Sequence, residues 1–92
     1  MKYTVEISPL AEKHIQFFKK SGQKILLKKI EKLIDELELH PYEGTGKPEA
    51  LKYENLGKWS RRIDQRHRLI YEVFEDEVLI EVISAFGHYD DK

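Results

Sequence analysis

At Ser8-Pro9 the hydrophobic period of this chain changes, and that change restricts the fold more than any other feature. Before it, Tyr3, Val5 and Ile7 alternate with Lys2, Thr4 and Glu6, the period-two pattern of a short half-buried strand. After it, Leu10, Ala11, His14, Ile15, Phe17 and Phe18 recur at helical spacing. Ser8 is a favoured helix cap, and Pro9 suits the first helical position, where no amide donor is missed. Ser21-Gly22 ends this helix. A second is predicted from about Gln23 to Leu39, with Leu26, Ile30, Leu33, Ile34 and Leu37 on one stripe. Lys24, Lys28, Lys29, Lys32, Asp35 and Glu36 take its other faces, a solvated surface. His40-Pro41 stops it, because the residue before proline is pushed out of the helical region. The short Ser21-Gly22 link implies an antiparallel helical hairpin.

Residues 42–57 carry Gly44, Gly46, Pro48 and Gly57 and read as a loop, long for a compact domain. Strands are predicted at about 58–63, 67–74 and 78–86, with the acidic link Glu75-Asp76-Glu77 between the last two. Trp59, Ile63, Leu69, Tyr71, Val73, Leu79 and Ile83 all fall on odd positions, so the odd face is expected to pack on the helices. The resulting order is β-α-α-β-β-β. It implies an α+β sandwich of two layers, with a four-stranded sheet, the first strand paired among the last three, and both helices on one face.

Composition narrows the function. Ninety-two residues, 40% of them apolar, make one domain over 1–92 with a modest core. Without cysteine there is no disulfide, zinc-thiolate site or thiol nucleophile. The first residues lack the apolar core of a signal peptide, and no apolar run approaches the roughly 18 residues of a membrane span. The expectation is a soluble, cytoplasmic protein with no membrane partner.

Charge is polarised along the chain. From Lys47 to Arg68 seven Lys or Arg residues (47, 52, 58, 61, 62, 66 and 68) face three acids (49, 54 and 64), a window of +4 in a chain of −1. The rest therefore sums to −5, and a basic patch in such a chain reads as a local anion site. If Asp64-Gln65-Arg66 is a three-residue loop, Arg62 lies opposite Arg68, and two like charges so placed destabilise the pair unless an anion sits between them. A two-residue loop would pair Arg62 with Leu69 instead. The plainer alternative gives these arginines to Glu72, Asp64 or solvent. Arginine's planar donor fork suits phosphate oxygens. Tyr53, Trp59 and Tyr89 offer rings for unpaired bases, although Trp59 on an odd strand position is better suited to packing. Glu49, between Lys47 and Lys52, would stay ionised, as a general base must, or else form a weak surface ion pair. His88, close to the end of the sheet, titrates near neutral pH but by position alone is a solvated side chain.

Four separated blocks carry a family resemblance: Gly44-Thr45-Gly46-Lys47-Pro48-Glu49-Ala50-Leu51-Lys52, Gly57-Lys58-Trp59-Ser60-Arg61-Arg62-Ile63, His67-Arg68-Leu69-Ile70-Tyr71 and His88-Tyr89. Together they resemble the YoeB (Txe) branch of the RelE toxins, from about residue 23 to 89. The resemblance implies a ribosome-dependent mRNA endonuclease that inhibits translation and is held inactive by an antitoxin of the YefM (Axe) type. It implies Glu49 as general base, His88 as general acid and Tyr89 as the terminal tyrosine of the site. It further implies phosphate contacts from Lys52, Arg62 and Arg68, and Lys47 and Arg61 join them as RNA-binding candidates. Such chemistry needs no metal or other cofactor, because RNA carries its own 2′-hydroxyl nucleophile. Both a monomer and a homodimer remain open. The tail Asp90-Asp91-Lys92 departs from relatives that stop near His-Tyr. The competing reading is a toxin of the ParE kind, alike in fold but acting by binding alone, or an RNA- or ribosome-binding module without catalysis.

Overall fold

The computed structural model describes residues 2–52 and 57–87. Its elements are β1 (Thr4–Ile7), α1 (Pro9–Lys20), α2 (Lys24–Leu37), β2 (Glu49–Ala50), β3 (Lys58–Arg62), β4 (Arg68–Phe74) and β5 (Leu79–Ser84), with a 3-10 turn at Glu75–Glu77. The sheet order is β1-β5-β4-β3-β2. β1 runs parallel to β5, and every other neighbour is antiparallel. Among the described residues no helix is long and apolar enough to cross a membrane.

The period change at Ser8-Pro9 works as a joint. Ser8 Oγ accepts from the Ala11 amide at 3.1 Å and donates to the Ile83 carbonyl at 2.7 Å, so one hydroxyl caps α1 and ties its start to β5. Glu12 in the first turn and Lys19 and Lys20 in the last match the helix dipole. The N-cap of α2, Gln23, makes no side-chain capping bond. Packing compensates. Leu26, Ile30, Leu33 and Leu37 are all buried, each contributing roughly 1.5–3 kcal/mol, against about 1 kcal/mol for a lost cap.

One core joins these residues to Ala11 and Phe18 of α1 and to Ile63, Leu69, Tyr71, Ile80, Val82 and Ala85. Both helices therefore share the face of the sheet that β1 also supplies, through Val5 and Ile7. On α1 the apolar stripe is wider than the sheet covers, and Leu10 and Phe17 stay exposed.

Two features depart from the sequence-based expectation. Among the described residues the sheet has five strands, because Glu49–Ala50, expected in a loop, pairs with Ser60 and Trp59 at the β3 edge. The inward face is odd on β3 and β4 but even on β5, where Ile80 and Val82 are fully buried while Leu79 and Ile83 are only partly so. The link lengths explain the switch. Arg62 pairs with Arg68 across five residues, which preserves parity, whereas Phe74 pairs with Leu79 across four, which inverts it. That tight link closes on Val78, a β-branched residue in the left-handed region at φ 51°.

Candidate active site

The side of the sheet away from the helices carries the candidate site, and a buried arginine shapes its border. Arg61 lies on the inward face of β3 and is completely buried. Its guanidinium donates to Glu36 Oε1 at 3.0 Å, to the Thr45 carbonyl at 3.3 Å, to the Glu43 carbonyl at 2.8 Å, to the His40 carbonyl, and through Nε to the Tyr71 hydroxyl at 3.2 Å. Tyr71 in turn donates to the Pro41 carbonyl at 2.6 Å. Glu36 of α2 completes the frame by accepting from the Thr45 amide at 2.8 Å and hydroxyl at 2.6 Å. The Thr45 hydroxyl, helped by its amide and by Arg61, holds the Glu36 carboxyl below its ordinary range against the opposing cost of desolvation. Burial raises the Tyr71 phenol, partly offset by Arg61.

This frame lays residues 40–46 onto β3. Gly46 is the contact point. Its carbonyl accepts from the Arg62 amide at 2.6 Å, and an added Cβ would sit 2.9 Å from the Arg62 carbonyl oxygen. The following residue, Lys47, is exposed and left-handed at φ 50°. The chain then enters β2 and continues the ladder through the Leu51 amide to the Lys58 carbonyl at 2.9 Å.

Glu49 is thereby set beside Ser60, on the same side of the pleat as Arg62 and Arg68. Arg62 is directly opposite Arg68, as the three-residue-loop register requires. Arg68 Nη1 lies 3.7 Å from Glu49 Oε1, with side-chain exposures of 22% and 66%. Arg62 is exposed. One carboxylate thus meets the Arg68 guanidinium, with Arg62 on the same side of the sheet, and the trio keeps a net positive charge open to solvent. Such a group can bind an anion while holding a carboxylate ready to accept a proton.

Of the sequence-derived candidates, Glu49, Arg62 and Arg68 come together, and Lys47 and Lys52 lie exposed on the segment that carries Glu49. Arg61 is corrected. Its donors are spent inside the protein, and no phosphate can reach a fully buried guanidinium. It is a framework residue, and its odd position between Trp59 and Ile63 already marked it as inward-facing. Glu36 and Tyr71 were missed as parts of that frame. Only the spatial meeting of α2, the loop and β4 reveals them. Trp59 is half-buried against the core, 5.1 Å from the Tyr42 ring, in keeping with a packing role. His88, Tyr89, Tyr53 and the Asp90-Asp91-Lys92 tail lie outside the described residues. Gly87, which precedes His88, accepts from the Arg68 amide at 3.1 Å.

A family model described as the YoeB-like toxin of bacterial type II toxin–antitoxin systems matches residues 9–89. The chain belongs to this family. The YoeB toxin of Escherichia coli strain K12 is 51% identical over 57 residues, covering 62% of this chain and 68% of that protein. A YoeB toxin of Synechocystis is 42% identical over 76 residues, covering 83% of this chain and 86% of its own length. Among solved structures, a YoeB/ParE toxin from Agrobacterium tumefaciens superposes with a TM-score of 0.87 at 32% identity, covering 94% of this chain and 99% of the other. A YoeB–YefM complex from Staphylococcus aureus superposes with a TM-score of 0.80 at 34% identity, covering 97% and 100%. A YoeB dimer from the same organism gives a TM-score of 0.82 at 34% identity, with the same coverage. The fold, and a place among YoeB-like toxins of type II systems, are therefore properties of this chain.

Proposed function

We propose that this YoeB-like toxin is an endoribonuclease that cleaves mRNA in the ribosomal A site and so inhibits translation. The observation that carries the reading is the Glu49 carboxylate held 3.7 Å from Arg68, with Arg62 opposite, on an exposed face. Glu49 takes the proton of the RNA 2′-hydroxyl as that oxygen attacks the adjacent phosphorus. Arg68, Arg62 and Lys52 stabilise the charge that grows on the phosphoryl oxygens. His88 gives its proton to the 5′-oxygen as the phosphorus–O5′ bond breaks, and Tyr89 completes the site. The products are a 2′,3′-cyclic phosphate, or the 3′-phosphate it opens to, and a 5′-hydroxyl. DNA has no 2′-hydroxyl and is not cut. The chemistry uses acid–base groups alone, with no metal or cofactor assigned a role.

The relevant partners are the ribosome with its mRNA and a small acidic antitoxin of the YefM kind. The antitoxin would cover the open face and neutralise or displace the basic patch of residues 47–68. Among related solved structures, a YoeB–YefM complex and a YoeB dimer support both the antitoxin and a homodimer as partners.

The test is single-turnover cleavage of a message on programmed ribosomes, beside a binding assay. Glu49→Gln and His88→Ala should each lower the rate about 10²–10⁴-fold without abolishing binding. Arg68→Ala should weaken both, because it faces ground-state and developing charge alike. Wild-type rates from both Glu49→Gln and His88→Ala would return the chain to a binding-only toxin.

A further inference from the structure

We propose that His67, seconded by His14, is a positioning residue that anchors the segment 85–87 and so fixes the backbone from which the chain continues to His88. The inference rests on the nuclease reading for its functional consequence, because His88 is the acid that Gly87 precedes. Past Ser84 the last strand is over, yet the chain is held at alternate residues by two imidazoles. The Ala85 amide donates to His14 Nδ1 at 3.1 Å, and the Gly87 amide donates to His67 Nδ1 at 2.7 Å. A backbone amide can only donate, so in this geometry both Nδ1 atoms act as acceptors.

Phe86, between the two amides, packs its ring 5.5 Å from His14, 4.8 Å from His67 and 5.7 Å from Phe18. His67 also stands edge-on to Phe18 at 5.0 Å. The anchor itself is anchored. Asp64 Oδ1 accepts from the His67 amide at 2.7 Å and the Arg66 amide at 2.8 Å, which fixes the backbone beneath the ring. Gln23, Asp64, Arg66 and Phe17 line the depression that His67, Phe86 and Gly87 border. Gly87 has φ 78° and, among the described residues, nothing within 4 Å of the position a Cβ would take, so packing against those residues does not hold it. Two hydrogen bonds do, its amide to His67 and the Arg68 amide to its carbonyl, while the Ala85 amide to His14 holds the segment two residues earlier. A catalytic group must be held within about 0.5 Å of its working position. His67 of the His-Arg-Leu-Ile-Tyr block therefore serves through its ring nitrogen and not through RNA.

The test compares three variants of the full chain. His67→Asn keeps an acceptor near the place of Nδ1. His67→Leu removes it, and His67→Gln, whose amide reaches the Nε2 position instead, is the polar loss variant should the leucine form fold poorly. Amide 15N relaxation at Ala85 and Gly87 is measured beside single-turnover cleavage at saturating and subsaturating ribosomes. In the loss variants the Gly87 order parameter should fall below about 0.6. The maximal rate should drop about tenfold, as the competent fraction falls to about a tenth, with ribosome affinity unchanged. His67→Asn should restore both. A Gly87 amide as ordered in His67→Leu and His67→Gln as in wild type overturns the proposal, as does an asparagine variant no better than the leucine one. If the loss variants loosen Gly87 but wild-type protein cleaves nothing, the anchor stands and the nuclease reading fails.

Discussion

Replacing Arg61 by methionine separates a framework arginine from an RNA-binding one. The guanidinium is completely buried and donates five hydrogen bonds, three of them to carbonyls of His40, Glu43 and Thr45. Methionine fills much of the volume but supplies no donor. The carbonyls belong to a surface loop and can partly rehydrate, so each costs about 1 kcal/mol, the low end for an abandoned buried acceptor. Glu36 keeps both Thr45 bonds and is partly exposed, which limits its own penalty. The sum is about 3 kcal/mol, at the lower edge of the roughly 3–5 kcal/mol seen when one partner of a buried ion pair is removed. A 92-residue domain holds only about 5–14 kcal/mol in total, so the loss is large. At about 4–8 °C per kcal/mol, the melting temperature should fall by about 12–24 °C. Urea and thermal unfolding of purified protein without RNA read this directly. An Arg61→Met protein that unfolds at the wild-type midpoint while losing RNA affinity would refute the framework role and restore Arg61 to the phosphate-binding set.

Arg62→Gln should stabilise the free protein by about 0.2–1 kcal/mol, because it removes a like charge directly opposite Arg68, while weakening binding to RNA. A urea midpoint that falls instead would show that the pair is not repulsive. His14 is held below its ordinary value of 6.5, first by burial and then by repulsion from His67. The unfolded chain thus binds the proton more readily, so the His14 contribution to stability is complete above about pH 6.5 and is lost as pH falls through the lower folded value. Urea midpoints between pH 8 and 5 should show this decline, and His14→Asn should flatten it. An unchanged slope in that variant would place the pH dependence elsewhere.

Local chemistry determined much of the molecule. Ser8 and Pro9 can only begin a helix well, and the stripe Leu26-Ile30-Leu33-Leu37 can only be buried on one side. The blocks around Glu49, Arg62 and Arg68 carried the family in the sequence itself. Three other features depended on the tertiary structure. The inward face of β5 changed parity because a four-residue link, rather than the apolar pattern of β5 alone, sets its register, and Leu79 and Ile83 are as apolar as Ile80 and Val82. β2 exists because Gly46 lets the loop lie against β3, a contact between residues distant in sequence. Adjacent arginines on one strand meet opposite fates for the same reason. Arg62 faces solvent and Arg61 the interior, and a buried guanidinium is tolerable only where Glu36, Tyr71 and three loop carbonyls converge on it. That convergence is a property of packed space, and spacing along the chain does not encode it.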